Sequence, residues 1–478
     1  MPSPFLRASR RPGLLVTLAV GAGCLVAPAP APAPPAQGSP PHRPRQDHAR
    51  GQDVVRALER GAHPLRSTAP YGGLKDLRPL GRIVGDTGVV GLGEATHGSH
   101  EFFALKHRVF RYLVEKKGFT TFMQELGWGA GLRLNDYVLR GEGNPRQIML
   151  EEFKHAYTLF RAEEYLRLIE WMRAYNKTHR RKLQFMGNDV YYPHDRIFQE
   201  IFDYARERDR PDLIPRLTRL YDGLIPGRDV GAWLVRYHRK SRAERLRLVR
   251  RATEARRLVR SLRHGAGRKA ADWAEQQAQV VLWTAKAHAA EDFSDYRDEG
   301  MAFNTVWWHR HKKSKLLLSA HDAHVGSTGL DPEHTAKRQG VWMRELLGRR
   351  YLPIGLTFYR GSFNAFDSGL PDEPLTKFTI GPPPRGNTER VLDRVPYRDY
   401  MLDMRTVREP ARSWLDTVRP IRNIGSSFPE VNDHFALRRT YQVLIHLHRV
   451  TAARIIGEKV VTAPRARPRE RDELPATR

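Results

Sequence analysis

Short apolar runs, each ending near a titratable residue, alternate along this chain with stretches whose apolar positions recur every three or four residues. Val89-Val90-Gly91-Leu92-Gly93 suits a buried strand and ends at Glu94, with His97 just beyond. The next segment, Glu101 to Lys117, carries Phe102, Phe103, Leu105, Phe110, Leu113 and Val114 on one helical stripe. Thr120-Thr121-Phe122-Met123 is a second strand, leading to Glu125. After an amphipathic helix from Glu163 to Tyr175, Leu183-Gln184-Phe185-Met186-Gly187 leads to Asn188 and Asp189. Lys315 to Ala320 leads to His321, with His324 one helical turn on, and a helix from Ala336 to Gly348 precedes a strand starting at Tyr351. This alternation predicts an α/β fold: a mostly parallel sheet flanked by helices. In such sheets ligands bind beyond the carboxyl ends of the strands. Glu94, Glu125, Asp189 and His321 all fall at that end.

The stretch from about 195 to 290 has another texture, rich in Arg, Leu and Ala, with helical periodicity in Ala243 to Leu262 and Ala270 to Ala287. It predicts a helical insertion capping one side of the site. The 478 residues carry a formal net charge of +28. Those charges are spread along the chain without a zinc-finger, RNP-like or helix-turn-helix pattern, so solvated helix faces explain them better than specific nucleic-acid binding.

The N-terminus predicts export. Arg7, Arg10 and Arg11 precede the apolar run Leu14 to Val20, and small residues follow, as in a signal peptide of twin-arginine type over residues 1–36. The run is too short for a membrane span, so no transmembrane segment is expected in the mature chain. The single cysteine, Cys24, excludes an internal disulfide. Gly21-Ala22-Gly23-Cys24 resembles a lipoprotein site with Gly21 where leucine is usual, so surface anchoring is the alternative to secretion. Residues 37–50 read as a linker, 51–460 as the catalytic domain, and 461–478 as a charged, proline-broken tail.

A carboxylate beside an imidazole orients it and favours proton uptake, so paired Glu and His groups can activate water. The same residues, Glu94, His97, Glu125, His321 and His324, are also competent ligands for a divalent metal, and spacing alone leaves both uses open. No G-x-S-x-G, H-E-x-x-H or phosphate-loop motif is present. His309 and His311 read as ordinary structural histidines, Lys106 and Arg108 equally well as the wet face of their helix, and Asp189 as a helix cap.

The string G-L-G-E-A-T-H-G-S-H-E-F-F-A-L-K-H-R (Gly91 to Arg108) resembles the signature of the erythromycin esterase family. The likeness continues through F-M-Q-E-L (Phe122 to Leu126), F-M-G-N-D (Phe185 to Asp189), Y-R-D-E-G-M-A-F-N (Tyr296 to Asn304), S-A-H-D-A-H-V (Ser319 to Val325) and L-I-H-L-H-R-V (Leu444 to Val450). The resemblance implies hydrolysis of a carboxylic ester or macrolactone by activated water, with no cofactor and a small-molecule substrate. It places Glu94 and His97 on the family's catalytic pair, with His97 as general base, and Glu125 on its second active-site carboxylate. His321 joins the catalytic set, while Lys106, Arg108, Asp189 and His324 are implied to contact substrate. Asp322 stands where the family carries Asn, adding a negative charge, and Phe160 where tryptophan is expected. A metal-dependent hydrolase and a non-catalytic binding protein are the competing readings.

Overall fold

The computed structural model describes residues 44–463 except 266, 329–336 and 430–432. The expected signal peptide, Cys24, the first part of the linker and the tail beyond residue 463 lie outside the described residues. Nine strands matter for the site: β1 (Ala62–Pro64), β2 (Val89–Leu92), β3 (Phe119–Gly127), β4 (Gln184–Asp189), β5 (Lys315–Ser319), β6 (Tyr351–Asp367), β7 (Leu375–Ile380), β8 (Tyr400–Asp403) and β9 (Val443–Val450). The main sheet runs β1-β8-β9-β6-β2-β5-β3-β4, with β7 pairing the far half of β6. Pairing is parallel from β9 through β4, and antiparallel at β1, β8 and β7. The fold is thus mixed α/β with a mostly parallel sheet, as the alternating pattern predicts.

Every residue of β2 and β3 is buried, because helices cover both faces of the sheet. The principal helices are α1 (Pro44–Gly61), α2 (His100–Lys117), α3 (Trp128–Arg140), α4 (Glu163–Thr178), α5 (Asp195–Glu207), α6 (Ile214–Tyr221), α7 (Val230–His238), α8 (Arg242–Ser261), α9 (Arg268–Ala289), α10 (Phe293–Lys312) and the short α11 (Asp322–Val325). The apolar stripe read from the sequence is the buried face of α2, which ends where Gly118 turns the chain at φ 71°.

Two boundaries differ from expectation. Helix α1 starts at Pro44, inside the stretch read as linker, since Val54, Val55 and Leu58 bury its later turns against the body. The chain also remains paired past residue 460, where Val461–Thr462 runs parallel to β7.

Helices α5 to α9 fill the span expected as an insertion, and their contacts buttress α10. Gln276 donates to Asn304 Oδ1 at 2.8 Å, and Trp128 donates to Gln277 Oε1 at 2.9 Å. Asn304 in turn donates to the carbonyl of Asn188 at 2.9 Å, so the insertion, α10 and the end of β4 are tied in sequence. Among the described residues no helix is long and apolar enough to cross a membrane.

Candidate active site

The sheet register explains why distant residues converge. Leu92 of β2 stands opposite Ser319 of β5 and Ile354 of β6, while Gln124 of β3 stands opposite Ser319 and Gly187 of β4. Just past this row lie Glu94, His321, Glu125 and Asp189, one or two residues further along each strand. A one-residue irregularity in β3 between Gln124 and Gly127 lets Glu125 leave the ladder at the same level.

Glu94 is fully buried and shared between two partners. Its Oε1 accepts from His97 Nδ1 at 2.7 Å, and its Oε2 from Lys106 Nζ at 2.6 Å. Lys106, also fully buried, donates to the Ala320 carbonyl at 3.2 Å as well. It is therefore a fixed counter-charge to Glu94 and not the wet face of its helix. With Nδ1–H given to the carboxylate, His97 carries its lone pair on Nε2. Its ring is held edge-on by Phe160, with centroids 4.8 Å apart, and its backbone N–H is bound to the Gly425 carbonyl at 3.0 Å.

The His321 ring lies 5.0 Å from that of His97. Its Nδ1 accepts from the Ala323 amide at 3.3 Å, which leaves the proton on Nε2. That buried Nε2 has no hydrogen-bond partner among the described residues. Burial, reinforced by His97, pushes the His321 imidazole well below the usual histidine range, so it is neutral at pH 7. A lone pair on His97 and an unused N–H on His321 thus sit side by side.

Beyond them lies a buried ion network. Glu125 accepts from Arg297 Nη2 at 2.9 Å on Oε1 and from the His321 amide at 2.9 Å on Oε2. Burial opposes its charge, but His324, His97 and Arg297 hold its carboxyl well below the carboxylate range. Asp189 binds Arg297 through both oxygens, at 2.6 Å to Nη2 and 3.0 Å to Nε. His324 lies between Asp298 (2.6 Å to Nδ1) and Glu125 (3.2 Å to Nε2). Burial disfavours its cation, yet the two carboxylates raise its pKa to about 9. Arg297 Nη1 also lies 3.2 Å from His324 Nε2, but an imidazolium has no lone pair to accept there, so the ion pair with Glu125 defines the contact. With its oxygens engaged, Glu125 positions the two histidines and is poorly disposed to act as a base.

Three expectations change. Arg108 stands apart from the site: it is buried against Asp76 at 2.6 Å and the Ser67 carbonyl at 2.7 Å, on another side of α2 from Lys106. Asp189 holds Arg297 instead of capping the next helix. Asp322 adds no negative charge beside the histidines, because burial pushes its carboxyl well above the usual range, toward the neutral acid. In that form it matches the shape of the expected Asn, and its Oδ1 accepts from the Leu356 amide at 3.1 Å.

Arg297 and Asp298 complete the network and carry no role in the sequence reading. The available signal was an Arg-Asp pair in the first turns of α10, whose start is capped by the Asp292 side chain. Among the described residues, no three His, Cys, Asp or Glu groups are arranged to hold a metal ion. Glu94 is held by Lys106 and His97, and His324 by Asp298 and Glu125.

A sequence profile of the erythromycin esterase family matches residues 114–450. The chain belongs to the erythromycin esterase family. Among curated relatives it is 24% identical over 383 residues to erythromycin esterase type II of Escherichia coli, covering 74% of this chain and 90% of that protein. It is 22% identical over 425 residues to the putative hydrolase YbfO of Bacillus subtilis, covering 84% and 91%. Among solved structures, a succinoglycan biosynthesis protein superposes with a TM-score of 0.76 at 27% identity, over 85% of this chain and 99% of that one. A mutant of the erythromycin esterase EreC, in its open conformation, superposes with a TM-score of 0.64 at 17% identity over 82% and 98%, a likeness of fold. Membership of the erythromycin esterase family makes the chain a hydrolase. The profile match begins after Glu94 and His97, so their place in this site rests on the geometry above.

Proposed function

We propose that this protein hydrolyses a carboxylic ester or macrolactone by general-base activation of water. The observation that carries the reading is the pairing of His97, its Nε2 lone pair set by Glu94, with the unpartnered Nε2–H of neutral His321. His97 takes a proton from a water as it attacks the ester carbonyl. His321 donates to the carbonyl oxygen, where negative charge develops. Glu94 then stabilises the imidazolium of His97, and Lys106 balances Glu94. As the tetrahedral intermediate collapses, the same imidazolium returns the proton to the leaving alkoxide, giving a carboxylic acid and an alcohol. The Glu125, Arg297, Asp189 and His324 network fixes the position of His321 through its backbone amide. The family name supports macrolides as candidate substrates. Export is a second part of the proposal and rests on the basic and apolar pattern of residues 1–36.

Incubation with a macrolide and a set of simple esters, followed by mass spectrometry, should show the gain of one water. His97→Ala should lower turnover by roughly 10²- to 10⁴-fold with thermal unfolding unchanged. Wild-type turnover in that variant would remove His97 from the mechanism.

A further inference from the structure

Helix α8 carries eight arginines against Glu244 and Glu254. Its buried positions, Leu248, Ala252, Ala255 and Val259, define one face. Outside that face, Arg250 and Arg257 on the opposite side and Arg247 on the adjoining flank are exposed and enter no hydrogen bond or ion pair among the described residues. The flanking arginines differ: Arg251 reaches Asp222, and Arg256 and Arg260 reach Glu275. Of the two acids on α8, Glu244 caps the helix start with Ser241 and Glu254 is bound by Arg216. The three guanidinium groups, none of them hydrogen-bonded, therefore form a stripe about 15 Å long, and Glu244 adds only a longer-range attraction to Arg247.

Apolar groups accompany the stripe. Leu246, beside it on α8, is 39% exposed, and Val235 on the neighbouring helix α7 is also 39% exposed. Arg236 and Arg239 are exposed next to Val235. A soluble polyanion would need only the charges. Exposed leucine and valine tips set among unpaired arginines match a surface where phosphates lie over hydrocarbon.

We infer that the outer face of the α7–α8 region docks on an anionic phospholipid surface. Guanidinium groups of Arg247, Arg250 and Arg257 bind headgroup phosphates, and Leu246 and Val235 enter the interfacial layer. Helix α8 packs on α9, and α9 in turn packs on α10.

The test is co-sedimentation of the full chain with vesicles of phosphatidylglycerol and phosphatidylcholine, against vesicles of phosphatidylcholine alone. The triple variant R247Q/R250Q/R257Q should lose roughly tenfold to a hundredfold in partitioning onto the anionic vesicles, and L246D severalfold. A control triple, R385Q/R398Q/R408Q, removes the same charge from exposed positions elsewhere and should change it less than threefold. An equal loss in both triples would show general charge attraction and overturn the inference. So would binding to heparin or polyphosphate without binding to the vesicles. Circular dichroism and thermal unfolding of each variant verify that the insertion stays folded.

Discussion

Asp322 shows how burial decides the meaning of a substitution. Read as a residue, it brings a charge to the place of an amide. In the fold, a β-carbon on Gly93 would lie 1.7 Å from its Oδ1, so the carboxyl is wedged against backbone and buried. Folding raises its pKa well above the ordinary 3.8. An acid raised in this way keeps its full contribution to stability below the ordinary value and loses it as pH rises through the folded value. Asp322→Asn should therefore match the wild type in thermal unfolding near pH 4 and become progressively more stable than it toward pH 9. A difference that stays constant across that range would mean the carboxyl is ionised in place. The same reasoning separates Lys106 from Arg108. Both were legible as basic residues of α2, but only the contacts of each side chain show which one belongs to the site.

The elements set the level at which the chemistry gathers. The loop from β2 to α2 is held by backbone pairing: the Gly98 carbonyl accepts from Asn364 at 3.1 Å and from Ala453 at 2.9 Å, while the Ala95 carbonyl accepts from Ile424 at 2.7 Å. A β-carbon on Gly98 would come within 2.0 Å of the Asn364 carbonyl oxygen, which cannot withdraw without breaking β6. Gly98→Ala should cost about 1–3 kcal/mol in urea unfolding and displace His97, so that hydrolytic turnover falls further than stability does. Wild-type stability in this variant would show that the loop has room the contacts deny. The strands and amphipathic helices that frame this loop were plain in the sequence, because their periods of 2 and 3.6 reflect burial directly. The irregularity in β3 was not, since nothing in Gln124 to Gly127 distinguishes a regular strand from a bulged one.

The whole molecule supplies what no single element holds: a closed ion network drawn from β3, β4, α10 and α11. His324 is its pH-sensitive member. Its pKa, raised from the ordinary 6.5 to about 9, means that its contribution is complete below 6.5 and is lost as pH rises through about 9. The free energy of urea unfolding should fall between pH 7 and 10 in the wild type. His324→Asn should start lower at pH 7 and be flatter over the same window; an equally steep decline in the variant would assign the alkaline loss elsewhere.

Taken by itself, the sequence determined the mixed α/β architecture, the strand ends carrying Glu94, Glu125, Asp189 and His321, and the likeness to a hydrolase family. These follow from local periodicity and from motifs contiguous in the chain. Tertiary structure alone decided the partners: Lys106 with Glu94, Arg297 between Glu125 and Asp189, and His324 against Asp298. It also decided that His321 is neutral and His324 cationic, two histidines three residues apart in one motif. Their charge states depend on desolvation and on carboxylates brought from distant strands and helices, and such distances are set only when the sheet closes.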